Sequence, residues 1–192
     1  METFDTNLFL MINGDGGPVM DSVMHVLSGR ATWIPLYLLI LWMVMHRYGW
    51  RYTLALLAVV AIGVVACDQT CNLLKEGLKF LRPTHTPAIA DLVHTVNGYR
   101  GGLYGTASSH AANSLVLIII SSAALKDRPY IAAMSLWLLA VCYSRIYLGV
   151  HFPSQILFGL LVGTLFGTVL RHLFAKYAGR LKRESSEKKH KE

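Results

Sequence analysis

Three groups of polar residues interrupt an otherwise apolar chain, and each carries side chains able to handle an anion. Lys75 and Arg82 stand seven residues apart in a stretch that reads as helical, so they should share one face about two turns long. Pro83, directly after Arg82, is expected to end that helix and hold the guanidinium near its terminus. Ala107-Ser108-Ser109-His110 immediately precedes a run of apolar residues. Serines are good N-caps, so free backbone N–H groups and a positive helix end should point outward there, with His110 in the first turn. Ser144-Arg145 closes a further apolar run, His151 follows six residues after Arg145, and Phe152-Pro153 opens the next helix.

Each group alone has a structural explanation. A lysine can extend to the lipid headgroups, which is the better reading for Lys79, and Arg82-Pro83 is an ordinary helix stop. A lone histidine at a helix start is more often an interfacial polar residue than a catalyst. Together the groups point further. Three cations plus backbone donors are what a dianionic phosphate requires. Two histidines suit covalent phosphoryl transfer, one as nucleophile and one as acid for the leaving group. No carboxylate cluster accompanies them, which argues against a required metal. Cys67, Cys71 and Cys142 lie in apolar stretches and form neither a disulfide framework nor a zinc-like spacing. No cofactor is expected.

The elements that must position these residues are membrane helices. Of 192 residues, 54% are hydrophobic and only 15% charged, against about 25% charged in soluble domains; a soluble enzyme and a disordered chain are both excluded. Spanning helices need about 20 mostly apolar residues. The runs 31–46, 52–74 (interrupted by Asp68), 111–125, 130–150 and 155–174 approach that length. Before them, 8–12 and 19–27 are separated by Asn13-Gly14-Asp15-Gly16-Gly17-Pro18, and Asp21 and His25 share a face. This N-terminal part reads as an amphipathic segment at the interface or against the bundle, with a short sixth span as the alternative; it lacks the basic n-region of a signal peptide. The fold expected is therefore all-α, an integral-membrane bundle of five to six transmembrane helices with an N-terminal amphipathic segment. Residues 1–178 form one membrane domain, and 179–192 a basic cytoplasmic tail expected to be disordered.

The net charge of +7 follows this layout. With five spans, Arg47, Arg51, Lys126, Arg128 and the eight Lys or Arg residues from Arg171 onward fall on one side, which the positive-inside rule makes the cytoplasm. Arg30, Lys75, Lys79, Arg82, Arg100 and Arg145 fall on the other. That distribution reflects membrane topology rather than nucleic-acid binding. Gly159, Gly163 and Gly167, spaced by four, let a second helix approach closely, within the monomer or, in a homo-oligomer, from a second copy.

The three groups resemble the motifs of the type 2 phosphatidic acid phosphatase superfamily, membrane lipid phosphatases related to vanadium haloperoxidases. K-x6-R-P is met by Lys75 to Pro83, P-S-G-H by Ala107-Ser108-Ser109-His110 with its serine and histidine kept, and S-R-x5-H-x3-D by Ser144, Arg145 and His151, with Gln155 at the last position. The resemblance implies that Lys75, Arg82 and Arg145 hold the phosphoryl oxygens, assisted by Ser108 and the N–H groups around Ser109 and His110. It implies that His151 attacks phosphorus and forms a phosphohistidine, while His110 protonates the leaving group and later activates water. Gln155 can accept the imidazole N–H and orient the ring, but cannot supply the charge of an aspartate. Serine in place of glycine at 109 is tolerable unless that position needs a positive φ. Asp68, at membrane depth, is read as a structural partner for Lys75 or Arg145, and His85 and His94 as loop histidines without a role. Tyr99, Arg100 and Tyr104 are candidates for headgroup contact or interfacial anchoring.

The leading expectation is a metal-independent phosphatase acting on an outward-facing lipid phosphate or diphosphate of the bilayer, such as undecaprenyl diphosphate, lipid A or phosphatidylglycerophosphate. A bacterial inner membrane with the site on the periplasmic face is the expected location. A non-catalytic lipid-phosphate binder or transporter is the alternative, supported by Gln155 and opposed by the retention of both histidines. A haloperoxidase is a poor third.

Overall fold

A computed structural model describes residues 4–189, with side chains described as far as Gly179. Seven α-helices follow one another: α1 Phe4–Ile12, α2 Gly17–Ser28, α3 Ile34–Tyr48, α4 Trp50–Leu78, α5 Ser109–Leu125, α6 Arg128–Tyr147 and α7 Pro153–Lys189. Among the described residues there is no strand, only an isolated bridge between Leu81 and Tyr104. The chain is an integral-membrane helical bundle. Trp50–Leu78, Arg128–Tyr147 and Pro153–Gly179 are each long and apolar enough to cross a bilayer. Gly17–Ser28 and Ala31–Tyr48 pass the same test only as a pair, bent by 75°, so the N-terminal segment is one arm of a bent pair. The tail expected to be disordered lies largely outside the described side chains.

Local chemistry explains the breaks. Gly49, at φ 78°, is the single residue between α3 and α4, in a conformation that glycine adopts without penalty. Asp127 caps α6 by accepting the Tyr130 N–H at 3.2 Å, with Pro129 in the first turn. After α6, Gly149 at φ 71° turns the chain so that Val150 and His151 point back inward before Pro153 starts α7.

Helix α5 is the hub, packed against α3, α4, α6 and α7. At 1.5 Å per residue it is about 25 Å long, short of a hydrocarbon core of about 30 Å. The glycine stripe of α7 makes the close fit on α5: a Cβ at Gly159 would lie 2.4 Å from the Ser108 carbonyl oxygen, and one at Gly163 2.6 Å from that of Ala112. These glycines serve packing inside the monomer. At the site end, Asn13 stitches the N-terminal loop down: its amide donates to the carbonyls of His94, Ile146 and Tyr147 and accepts from the His94 N–H. Asp21 accepts from Tyr147 Oη at 2.6 Å and pairs with His94 Nε2 at 2.9 Å.

Candidate active site

The eight residues singled out from the sequence converge on the N-terminal end of α5. Ser108 is the N-cap residue of α5 and fully buried, but its hydroxyl makes no capping bond; the first turn closes on its backbone carbonyl, through Ala112 N–H at 3.1 Å. Ser108 Oγ has no partner among the described residues. Ser109 already belongs to the helix and has no positive φ, so serine is unstrained there. Its hydroxyl accepts from Lys75 Nζ at 3.1 Å, which ties the end of α4 to the start of α5.

Arg82 departs from expectation. Helix α4 stops at Leu78, where Lys79 takes the left-handed conformation, φ 54°. Arg82 therefore stands on an extended segment and shares no helical face with Lys75, and Pro83 begins a separate 3₁₀ turn. Tertiary pairing wins over helix continuation: Gly105 N–H donates to Phe80 O, Arg82 N–H to Leu103 O, and Phe80 N–H to Thr106 Oγ1. The guanidinium is held by the carbonyls of Tyr104 (Nε, 3.1 Å) and Val150 (Nη1, 2.8 Å). Burial, then the neighbouring Arg145, bring its pKa to about 10, which leaves it cationic at neutral pH.

His151 is buried, 2% exposed, and Gln155 lies one turn further on. Gln155 Nε2 donates to the Leu81 carbonyl at 2.9 Å, while Oε1 accepts from the Phe152 N–H at 3.3 Å. Each backbone group can play only one role, so the amide orientation follows. Oε1, 3.1 Å from His151 Nδ1, must then accept. This makes Nδ1 the protonated nitrogen and leaves the lone pair of Nε2 facing Arg82 Nη1 at 3.4 Å. Burial above all, then Arg82 and Arg145, push the His151 pKa well below the usual histidine range, so the ring is neutral.

Arg145 is 4% exposed. Its Nη1 donates to Ser28 Oγ, and its Nε has no partner among the described residues. Ser28 at the end of α2 is thus a support for the site that sequence reading missed; a serine before Gly29 carries no distinguishing signal. Arg30, Lys75, Arg82 and Arg145 all lie near enough to act electrostatically on His110. Two further supports went unread. Gly105 makes room for Gln155, since a Cβ there would meet Oε1 at 2.4 Å. Asp5 of α1 accepts from Ser154 N–H at 2.9 Å and Ser154 Oγ at 2.5 Å, placing a carboxylate on the N-terminus of α7. Among the described residues Asp68 makes no ion pair with Lys75 or Arg145, acting on Lys75 only through space; it accepts from Asn113 Nδ2 at 3.0 Å. Lys75 instead reaches the α5 end. His94 is engaged by Asp21, and His85, among the described residues, by its neighbour Thr84 at 3.1 Å.

A buried, oriented, neutral imidazole among guanidinium groups, at a helix N-terminus and within a membrane bundle, is an arrangement suited to phosphoryl transfer from a lipid. Residues 48–178 match the PAP2 superfamily, and the chain belongs to it. Two curated relatives are named lipid A 4'-phosphatase. That of Bacteroides thetaiotaomicron is 33% identical over 187 residues, 96% of this chain and 83% of the relative. That of Porphyromonas gingivalis is 34% identical over 164 residues, 85% of this chain and 70% of the relative. Among solved structures, the transmembrane PAP2-type phosphatidylglycerolphosphate phosphatase of Bacillus subtilis superposes with a TM-score of 0.64 at 22% identity, covering 93% of this chain and 86% of that one. Aquifex aeolicus LpxE gives 0.64 at 21% identity, over 88% and 94%. These two share the fold. The protein is a membrane lipid-phosphate phosphatase.

Proposed function

We propose that the chain removes a phosphate monoester from a phosphorylated glycolipid of the lipid A kind, by a histidine-based, metal-independent route, on the periplasmic face of a bacterial inner membrane. The observation that carries the chemistry is the His151–Gln155 bond, which fixes the Nδ1–H tautomer and leaves Nε2 nucleophilic. Two relatives at a third identity support the substrate class. The distribution of Lys and Arg along the sequence supports the orientation, with the C-terminal tail in the cytoplasm.

In this reading Lys75, Arg82 and Arg145 neutralise the phosphoryl oxygens, and Ser108 Oγ and the N–H groups at the start of α5 add donors. His151 Nε2 forms a bond to phosphorus as the P–O bond to the lipid breaks. The bound phosphate dianion offsets the cations around His110, so that His110 carries the proton that the leaving oxygen takes. Water then gives a proton to His110 and attacks the phosphohistidine; the P–N bond breaks and inorganic phosphate leaves. Ser108 Oγ and Arg145 Nε, two of the buried atoms without a partner among the described residues, are donors that phosphate oxygens would satisfy.

The test is phosphate release by detergent-purified protein in EDTA, over lipid A, undecaprenyl diphosphate, phosphatidylglycerophosphate and phosphatidic acid. Release from lipid A in preference to the others, surviving EDTA, is expected. Release that stops with EDTA, or that favours the diphosphate, would overturn the proposal.

A further inference from the structure

A cavity of about 400 Å³ opens beside the site among α2, α3, α4, α5 and α6. His110 and Ser109 stand at its polar end with Ser28 and Arg30; the rest of its wall is largely apolar, with Trp33 and Trp137 among the lining residues. His151, Gln155, Lys75, Arg82 and Arg145 do not border it. In an in-line displacement the leaving group departs opposite the nucleophile. A cavity that touches the proposed acid His110 but not the proposed nucleophile His151 is therefore on the leaving-group side, where the lipid body must lie.

One feature of that wall is out of place for plain hydrocarbon. Asp68 and Asn113, joined at 3.0 Å, both line the cavity. No cation pairs with Asp68 among the described salt bridges. Asn113 Oδ1 is buried without a hydrogen-bond partner, because its amide donates to Asp68 and leaves the oxygen free. Asn113 lies three residues, about 4.5 Å along the α5 axis, beyond His110. The pair thus offers acceptors, a carboxylate and an amide oxygen, on the same cavity as the proposed acid His110 and within about one turn of it along α5. An acceptor left unmatched in an apolar cavity, as Asn113 Oδ1 is, is costly.

Resting on the phosphatase reading, we infer that Asp68 and Asn113 are specificity-determining residues that accept hydrogen bonds from a hydroxyl or amide N–H of the leaving lipid, next to its phosphate. They select a phosphorylated lipid whose body carries such donors, as an N-acyl amino sugar does, over diacylglycerol phosphates and polyprenyl phosphates, whose leaving groups carry no hydroxyl or amide donor beside the phosphate.

The test separates binding from turnover. Trp33 and Trp137 line the cavity, so in a Trp42→Phe/Trp50→Phe background a brominated lipid entering it quenches their fluorescence. The probes are a brominated N-acylglucosamine lipid without phosphate and a brominated diacylglycerol of equal chain length. The expected result is at least about ten-fold tighter binding of the amino-sugar lipid. Asp68→Ala and Asn113→Leu should each erase that preference while diacylglycerol quenching stays within two-fold, and His151→Ala should retain it. On phosphorylated forms of the two lipids, kcat/KM of Asp68→Ala should fall about ten-fold for the amino sugar alone. Equal binding of both probes by the wild type, which would mean the cavity holds only bilayer chains, overturns the inference. So does a preference that survives Asp68→Ala, or an equal loss on both substrates. Wild-type protein that releases no phosphate yet keeps the binding preference overturns the phosphatase reading and supports this one.

Discussion

Gln155 Oε1 lies 3.1 Å from His151 Nδ1 because Gln155 Nε2 is committed, at 2.9 Å, to the carbonyl of Leu81. A carboxylate of the same reach would set an oxygen against that carbonyl. Glutamine is thus the residue that satisfies Leu81 and orients the imidazole together. Gln155→Leu should lower kcat by about 100-fold or more with KM little changed, since orientation rather than binding is lost. Gln155→Glu should be less thermostable than wild type, and most active where its carboxyl is protonated and can donate to Leu81. Steady-state kinetics and thermal unfolding across pH read both.

Arg145 donates through Nη1 to Ser28 Oγ while Nε stays unpartnered and buried. A lysine cannot fill both directions from one ammonium. Arg145→Lys should cost about 100- to 1,000-fold in kcat, and Ser28→Ala about ten-fold or less, because it only loosens the anchor. A fall of equal size in both variants would assign the loss to packing.

His151 is held neutral by burial and by Arg82 and Arg145. Its folded pKa lies below the unfolded value of about 6.5, so below that pH the unfolded chain binds a proton that the folded chain refuses. The folded state then loses stability as pH falls through 6.5 and keeps it in full above. Thermal unfolding in detergent should show a midpoint that drops between pH 7.5 and 5 in wild type, and drops less in His151→Gln. Parallel slopes in the two proteins would contradict this.

Gly159 and Gly163 both press α7 onto α5, but only Gly159 faces the backbone of Ser108. A methyl group at either must displace backbone, so Gly159→Ala and Gly163→Ala should each destabilise the bundle by about 1–3 kcal/mol. Only Gly159→Ala should also reduce kcat in the protein that remains folded.

The bundle was legible because apolar runs are long and their breaks carry strong signals. Gly49, Asp127-Arg128-Pro129 and Phe152-Pro153 each end or start a helix within a few residues of where composition changes. The site residues were legible by type and spacing. What hid was tertiary. Nothing local says that α4 stops at Leu78, since the chain leaves the helix to pair Leu81 with Tyr104. Nor does any pattern announce that Asp5 reaches Ser154 or that Ser28 meets Arg145, contacts separated by most of the chain. Asn113 did carry a signal: it is a polar residue one turn past Ser109 in an apolar run.

The central claim is that His151 carries the phosphoryl group. Brief incubation with lipid labelled at phosphorus, acid-free denaturation and peptide mapping would measure it. The account predicts an alkali-stable, acid-labile label on the peptide containing His151, absent in His151→Ala, which should also lose turnover. Phosphate release at wild-type rate by His151→Ala, with no labelled peptide in either protein, would contradict it.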